Sequence, residues 1–382
     1  MFWFILGREP ILSAAEIAAV LNTDKLIRRD NILFCPEKID PAILINTLGG
    51  TIKIGREIGT ELKEDELIKT MAAELKTVPG KINFGISFYG VGENSIEKWG
   101  KEIKKTLKEQ GYSVRYVFKR EATLSSVTVA KNGLDKRGAE FLVTSPKPGV
   151  FALARTAVVQ PFEQWGARDF GRPGRDDLSG MLPPKLARML VNLSQAKKTA
   201  KILDPFCGSG TIISEALLLK YIHITGSDIS PKAISDTQTN LEWLKQHANL
   251  GDFDCQIFQA DIKDLPQKIT PHSIDAIITE PYLGKPLRGS ENEKILIAQT
   301  KELETLYLEA FQKFAQLVKP GGMVIFIVPC FRQGNGWIRI NLTEKIKNIG
   351  FAQMPFYPNE TNLLYWRPGQ KLGREIWKFV KK

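Results

Sequence analysis

The residues best suited to chemistry lie at the ends of apolar runs. Ile202-Leu203-Asp204-Pro205-Phe206-Cys207-Gly208-Ser209-Gly210-Thr211 reads as a strand ending in an acid, a turn with two glycines, and a helix that begins at Thr211. Glycines let a ligand approach the backbone closely, and a helix start offers unpaired N–H groups. The loop has neither the GxxxxGK(S/T) of a phosphate-gripping P-loop nor the GxGxxG of a dinucleotide site. Its own acid, Asp204, suits a ligand that carries positive charge, and S-adenosylmethionine has an ammonium and a sulfonium group. The next run ends in Gly226-Ser227-Asp228. Asp228 follows Gly210 at close to the ~20 residues expected of an acid that holds ribose hydroxyls. A third run ends in Ala260-Asp261-Ile262, where a carboxylate can accept a hydrogen bond from an adenine amino group. Acids at three successive strand ends would surround the cleft in which open α/β sheets bind ligands.

A fourth run ends in Thr279-Glu280-Pro281-Tyr282-Leu283-Gly284-Lys285-Pro286. It resembles the Asp/Asn-Pro-Pro-Tyr/Phe tetrapeptide of methyltransferases that act on exocyclic amines. A conjugated amine is a weak nucleophile, so acceptors must localise its lone pair toward the methyl group. The resemblance implies that the first residue and a neighbouring carbonyl accept from the target nitrogen while the ring stacks on the base. Here Thr279 stands in place of Asp or Asn, and Glu280 in place of the first Pro. Tyr282 keeps the ring, and Glu280 can supply the acceptor from one position along. Cys207 has no base beside it in the sequence, so a methyl-carrying thiolate is the weaker reading of that loop.

These residues need a scaffold that sets strand ends side by side. From residue 183 onward the chain alternates strand-like and helix-like segments: a helix over 184–193, then 201–204, 211–219, 223–228, 231–246, 255–261, 275–279, 300–318, 323–328 and 343–349. Such alternation predicts a mostly parallel sheet with helices on both faces. Segments 351–357, 362–366 and 374–380 follow without helices between them, as an antiparallel edge would. Pro320-Gly321-Gly322 reads as a helix-to-strand turn. The first 58 residues read as β-α-β-α-β, with Ser13 and Glu16 as a capping box. A second α+β unit over 59–160 has strands at 81–89, 113–118, 140–144 and 150–159, and an amphipathic helix over 96–110. Residues 161–182 are rich in Gly, Arg, Asp and Pro and read as a linker. Trp99, Trp165, Trp243 and Trp366 are scattered and read as packing residues.

Composition narrows the class. Of 382 residues, 43% are hydrophobic and 25% charged, which excludes disorder, collagen and coiled coil. No apolar run reaches the ~18–20 residues of a membrane span, and the start lacks the basic region of a signal peptide. Four cysteines without a CxxC pair fit a reducing, cytoplasmic setting, and three histidines without HxxxH spacing make a histidine metal site unexpected. The 53 Lys and Arg against 42 Asp and Glu leave +11, which suits a polyanionic partner such as nucleic acid.

The C-terminal half thus resembles a class I S-adenosylmethionine-dependent methyltransferase. The whole chain resembles the family of tRNA (guanine-10-N2)-methyltransferases of archaea and eukaryotes, which join a THUMP RNA-binding module to that catalytic domain. Besides the motifs above, the likeness rests on Phe84-Gly85-Ile86-Ser87-Phe88-Tyr89-Gly90, Ser113-Val114-Arg115, Arg168-Asp169-Phe170-Gly171-Arg172-Pro173, Gly180-Met181-Leu182-Pro183-Pro184-Lys185-Leu186-Ala187, Tyr365-Trp366-Arg367-Pro368-Gly369-Gln370 and Arg374-Glu375-Ile376. It implies an α/β, Rossmann-like catalytic fold over 183–382, a ferredoxin-like domain over 1–58, and a THUMP-like domain over 59–160 that docks on the tRNA acceptor stem. It also implies N2 methylation of a guanosine. Thr279, Glu280, Pro281 and Tyr282 would then be catalytic. Asp204, Phe206, Cys207, Gly208, Gly210, Thr211, Asp228, Ile229, Asp261 and Ile262 would hold S-adenosylmethionine, with Pro183 and Lys185 flanking it. Arg115, Arg168, Arg172, Arg175 and Lys285 would contact RNA. The expected partner is tRNA, with no metal and no membrane, and the expected state is a monomer. Two alternatives stay open: amine methylation of another RNA or of DNA, and a tRNA-binding protein whose site has decayed.

Overall fold

The computed structural model describes residues 1–90, 95–175, 181–287 and 291–382. Gly180 of the junction motif, and part of the expected linker, lie outside the described residues. The chain begins β1 (Phe2–Leu6), α1 (Pro10–Leu21), β2 (Ile27–Arg29), β3 (Ile32–Cys35), α2 (Pro41–Thr47), β4 (Thr51–Leu62) and α3 (Glu64–Leu75). It continues β5 (Ile82–Tyr89), α4 (Ile96–Glu109), β6 (Val114–Tyr116), α5 (Ser126–Lys131), β7 (Ala139–Lys147), β8 (Val150–Val159) and α6 (Phe162–Phe170). Next come α7 (Pro184–Leu193), β9 (Lys201–Asp204), α8 (Thr211–Leu218), β10 (His223–Asp228), α9 (Pro231–His247), β11 (Asp254–Gln259), α10 (Leu265–Lys268) and β12 (Ile274–Thr279). The end is α11 (Glu293–Leu317), β13 (Val318–Gln333), β14 (Gly336–Ile338), α12 (Thr343–Asn348), β15 (Phe351–Gln353), β16 (Asn362–Tyr365) and β17 (Leu372–Lys381). Two compact units result: Met1–Pro10 with Lys25–Gln164, and Ile11–Asp24 with Trp165–Lys382.

The first unit is built on one eight-stranded sheet, ordered β2-β3-β1-β4-β8-β7-β5-β6. The division expected after residue 58 falls inside β4. That strand pairs with β1 on one side and runs on along β8 to Leu62 through three register irregularities. The two expected α+β segments therefore share a sheet. At its centre Lys53 is buried against Glu140, at 1% and 0% side-chain exposure. Its ammonium also donates to the Leu124 carbonyl at 2.6 Å. Ser87 and Thr156 hydroxyls donate to the two Glu140 oxygens at 2.6 and 2.7 Å, and the Leu124 N–H donates to Ser87. A buried pair is tolerable only when its remaining lone pairs and protons are satisfied in this way.

The second unit holds the expected α/β architecture. Its path is β11-β10-β9-β12-β13-β17-β15. The first five strands are parallel, and β17 runs antiparallel to both β13 and β15. One face is covered by Leu186, Leu190, Ile213 and Leu217, the other by Leu303, Tyr307, Phe311 and Phe314. Among the described residues no helix is long and apolar enough to cross a membrane.

Three local expectations are corrected. The first concerns α1, which starts at Pro10, whose fixed φ and missing N–H suit a first turn. Ser13 and Glu16 therefore lie inside the helix and are buried, and Glu16 accepts from the Asn192 amide at 2.7 Å rather than capping. The second concerns the linker, which contains α6; only Trp165 of that short polar helix is buried, so it leaves little apolar periodicity to read. The third concerns Pro320-Gly321-Gly322, which falls within β13 as an irregularity. Pairing jumps from Ile274↔Val318 to Ala276↔Met323, and Gly321 takes a φ of 76°.

Lys53→Met leaves Glu140 buried without its counter-charge. The variant is expected to lose ~3–5 kcal/mol of stability, read as a lower denaturation midpoint by circular dichroism. A midpoint matching wild type contradicts the assignment.

Candidate active site

The carboxyl ends of β9, β10, β11 and β12 meet at a cavity of about 580 Å³. Asp204 closes β9 and is 1% exposed. Its Oδ1 accepts from the Thr279 hydroxyl at 2.7 Å and from the Phe206 N–H at 3.3 Å. Burial pushes the Asp204 carboxyl up to about 7, against the pull of those two hydrogen bonds and with help from the charges of Asp228 and Glu280. The loop after it turns through Gly208 and Gly210, with φ of 52° and 78°. Gly210 precedes the first turn of α8, and a Cβ there would meet Thr237 at 2.8 Å.

Asp228 closes β10 and organises this loop. Its Oδ2 accepts from the Gly208 N–H at 3.0 Å and its Oδ1 from the Ser230 N–H at 2.9 Å. Asp261, just past β11, accepts from the Lys263 N–H at 3.0 Å. The cavity wall includes Asp204, Phe206, Cys207, Gly208, Thr211, Asp228, Ile229, Asp261, Ile262, Glu280, Pro281 and Tyr282. Ile229 and Tyr282 are 64% and 54% exposed, so two large apolar faces stand open. Burial and the neighbouring Asp204 and Asp228 charges push the Cys207 thiol well above its usual range, which disfavours a thiolate.

Other expected residues are placed differently. Thr279 is fully buried, and its hydroxyl is given to Asp204 instead of the cavity, because a buried hydroxyl at a strand end needs an acceptor. Gly210, Pro183 and Lys185 are not on the cavity wall. Pro183 precedes the first turn of α7 and Lys185 lies within that turn, with its ammonium 5.6 Å from the Trp165 ring centre; burial lowers its pKa. Arg168 and Arg172 face inward, which removes them as phosphate contacts. Glu215 is buried and draws both Arg168 at 2.8 Å and Arg188 at 2.7 Å, the two guanidiniums lying over Trp165. Arg172 is 6% exposed and donates to the Thr211 hydroxyl. Arg115, Arg175 and Lys285 are exposed.

Two functional groups went unread in the sequence. Asn240 on α9 takes the Gly174 N–H and gives its own amide protons to the carbonyls of Gly174 and Ser209, at 2.8–2.9 Å. Together with Arg172, it ties residues 172–174 to the glycine loop. Arg374 on β17 reaches Glu280, Nε to Oε2 at 2.6 Å and Nη2 to Oε1 at 3.4 Å. Its signal was a charge inside an apolar strand, which calls for a partner. Beyond Tyr282, the Tyr307 hydroxyl donates to the Tyr282 carbonyl at 2.7 Å. Gly284, at φ 101°, passes so close to Gln299 that a Cβ would sit 1.9 Å from its amide nitrogen. Among the described residues no group of three His, Cys, Asp or Glu side chains could hold a metal ion.

Residues 172–347 match the family model described as UPF0020, RMKL-like, methyltransferase domain. TrmN from Thermus thermophilus superposes over all of both chains with a TM-score of 0.57 at 17% identity. A putative methyltransferase, SMU.472, solved in complex with SAH, covers all of this chain and 98% of its own at 0.53 and 12% identity. The second unit therefore has a class I methyltransferase fold. In sequence, the chain is 34% identical over 152 residues to a tRNA (guanine(10)-N2)-dimethyltransferase of Methanothermobacter thermautotrophicus, 39% of each chain. It is 30% identical over 152 residues to a tRNA (guanine(6)-N2)-methyltransferase of Thermus thermophilus, 39% of this chain and 40% of that one. The match spans about two fifths of the length of these curated relatives. Over this stretch the chain is similar to tRNA guanine-N2-methyltransferases.

An acid whose folded pKa is raised binds more protons folded than unfolded between its two values. Stability therefore falls as pH rises from about 4 to about 7 through Asp204. Asp204→Asn keeps an acceptor for Thr279 and Phe206 and removes this penalty. The variant is expected to gain stability over wild type at pH 8 and to match it near pH 4. Denaturation curves that stay parallel at the two pH values speak against a proton-loving Asp204.

Proposed function

We propose that this chain is an S-adenosylmethionine-dependent methyltransferase acting on the exocyclic N2 of a guanosine in tRNA, at position 10 by family resemblance. The observation that carries the reading is one cavity lined by three strand-end acids and by Glu280-Pro281-Tyr282. The donor set fits the cofactor. Asp204 is a buried carboxyl that a cationic ligand would let ionise, Asp228 has lone pairs left for ribose hydroxyls, and Ile229 offers an apolar face to a purine. Asp204, Asp228 and Asp261 would hold S-adenosylmethionine, which would supply a sulfonium-bound methyl group for exchange of its C–S bond for a C–N bond, the nitrogen losing one proton to water. The residues contribute position and acceptors aimed at the developing charge. The target base must leave its stack, and Tyr282 gives it an exposed ring to pack on. Arg115, Arg175 and Lys285 are exposed cations suited to phosphate. The relatives' names favour tRNA over DNA as the partner, and the +11 surplus suits a polyanion of either kind.

Two measurements check this. Incubation of the full chain with tRNA and labelled S-adenosylmethionine, followed by nucleoside mass spectrometry, is expected to give N2-methylguanosine. Label on DNA alone, or none on tRNA, overturns the reading. In calorimetry, Asp228→Ala is expected to raise the cofactor Kd at least about tenfold, since a hydrogen bond to a charged group contributes ~1.5–3 kcal/mol. An unchanged Kd removes Asp228 from the site.

A further inference from the structure

We propose that Arg374 is a positioning residue that fixes Glu280 as an acceptor-only reader of the target base, and that the base so selected is guanine. The inference rests on the methyl-transfer reading above and adds the basis of its specificity. Glu280 lies on the cavity wall, and its carboxylate is only 13% exposed. The Arg374 fork comes from a β-strand paired residue by residue with β13, where Arg374 sits opposite Pro329. Such a fork sets the carboxylate plane as well as its place. The grip is uneven: Oε2 takes the 2.6 Å bond, whereas Oε1 is held only at 3.4 Å and keeps lone pairs for a ligand.

The two residues that flank Glu280 present a base with no free side-chain donor. Thr279 has given its hydroxyl proton to Asp204. Pro281 has no N–H. An ionised carboxylate beside an arginine is acceptor-only. Guanine presents two adjacent donors on one edge, N1–H and the N2 amino group. Adenine and cytosine each present an amino donor beside a bare ring nitrogen. A fixed carboxylate pairs with both guanine donors, but with adenine or cytosine it would set a lone pair against the ring nitrogen's own. A site built to pair particular polar groups rejects analogues that leave them unpaired far more strongly than an apolar pocket can. The same contact to N2 supplies the acceptor that the amine needs, so recognition and activation share one side chain.

The test uses the full chain, tRNA and labelled S-adenosylmethionine, with Glu280→Gln, Arg374→Leu and Arg374→Lys. Glu280→Gln keeps the shape and is expected to lower guanosine kcat/KM about hundredfold, most of it in kcat. Its amide sets a donor beside an acceptor, so any residual methylation is expected to shift toward adenosine or cytidine. Arg374→Leu is expected to lose about thirtyfold, and Arg374→Lys to recover most of it. Cofactor Kd by calorimetry is expected to stay within about twofold in all three. Two outcomes overturn the proposal while wild type methylates guanosine: turnover unchanged in Glu280→Gln and Arg374→Leu, or cofactor affinity falling in step with turnover. Wild type that methylates only another base overturns the functional reading itself.

Discussion

Asp204 accepts a proton-bearing contact from Thr279 across two neighbouring strands, at the one place where the sheet opens into the cavity. Burial makes its charge costly and pushes the carboxyl up to about 7. The rest of the site follows from that constraint. Thr279 cannot both satisfy a buried carboxyl and turn to a substrate amine. On the proposed reading, the acceptor for the amine comes from the next residue, Glu280. A third carboxylate beside Asp204 and Asp228 needs a cation, and Arg374 supplies it from the antiparallel strand. The departures from the familiar tetrapeptide are thus linked, each one requiring the next.

The two units handle buried charge in the same manner. In the first, Glu140 gathers Lys53, Ser87 and Thr156 at the middle of an eight-stranded sheet. In the second, Glu215 gathers Arg168 and Arg188 behind the glycine loop. Both carboxylates are paired with groups from distant stretches of chain, so each fixes pieces that periodicity alone leaves free to slide. Arg172 and Asn240 extend the second cluster to Thr211 and Ser209, which means the loop that would hold the cofactor is braced from behind.

Much of this was legible in the chain because strand ends carry their own punctuation. Asp204, Asp228 and Asp261 were found by sitting where apolar runs stop, and parallel strands must bring such ends together. Helix α7 was readable from Pro183-Pro184 and its apolar stripe. What failed was whatever depends on partners far along the chain. Ser13 and Glu16 have the spacing of a cap, yet Asn192 claims Glu16. Arg168 and Arg172 look like surface cations until Glu215 and Thr211 are placed. Arg374 lies 94 residues from Glu280, and its place inside an apolar strand calls for a partner without saying which. The continuity of β4 past residue 58 was hidden because its later half is polar and pairs through irregular register.

The positive surplus can be located by the same accounting. Among the described residues the buried cations are Lys53, Arg172, Arg188, Arg374 and Lys378, and the buried acids are Glu16, Glu140, Asp204, Glu215 and Glu375. The two sets are equal in number, so the interior consumes none of the +11. The excess belongs to side chains in contact with water, where it can act on a polyanion at a distance and where salt will screen it. Arg168 and Arg172, which looked like RNA contacts, serve the interior, while the field that would draw RNA comes from exposed cations such as Arg115, Arg175 and Lys285. On the proposed reading, base selectivity would come from the cavity, because a diffuse surface field carries no base information.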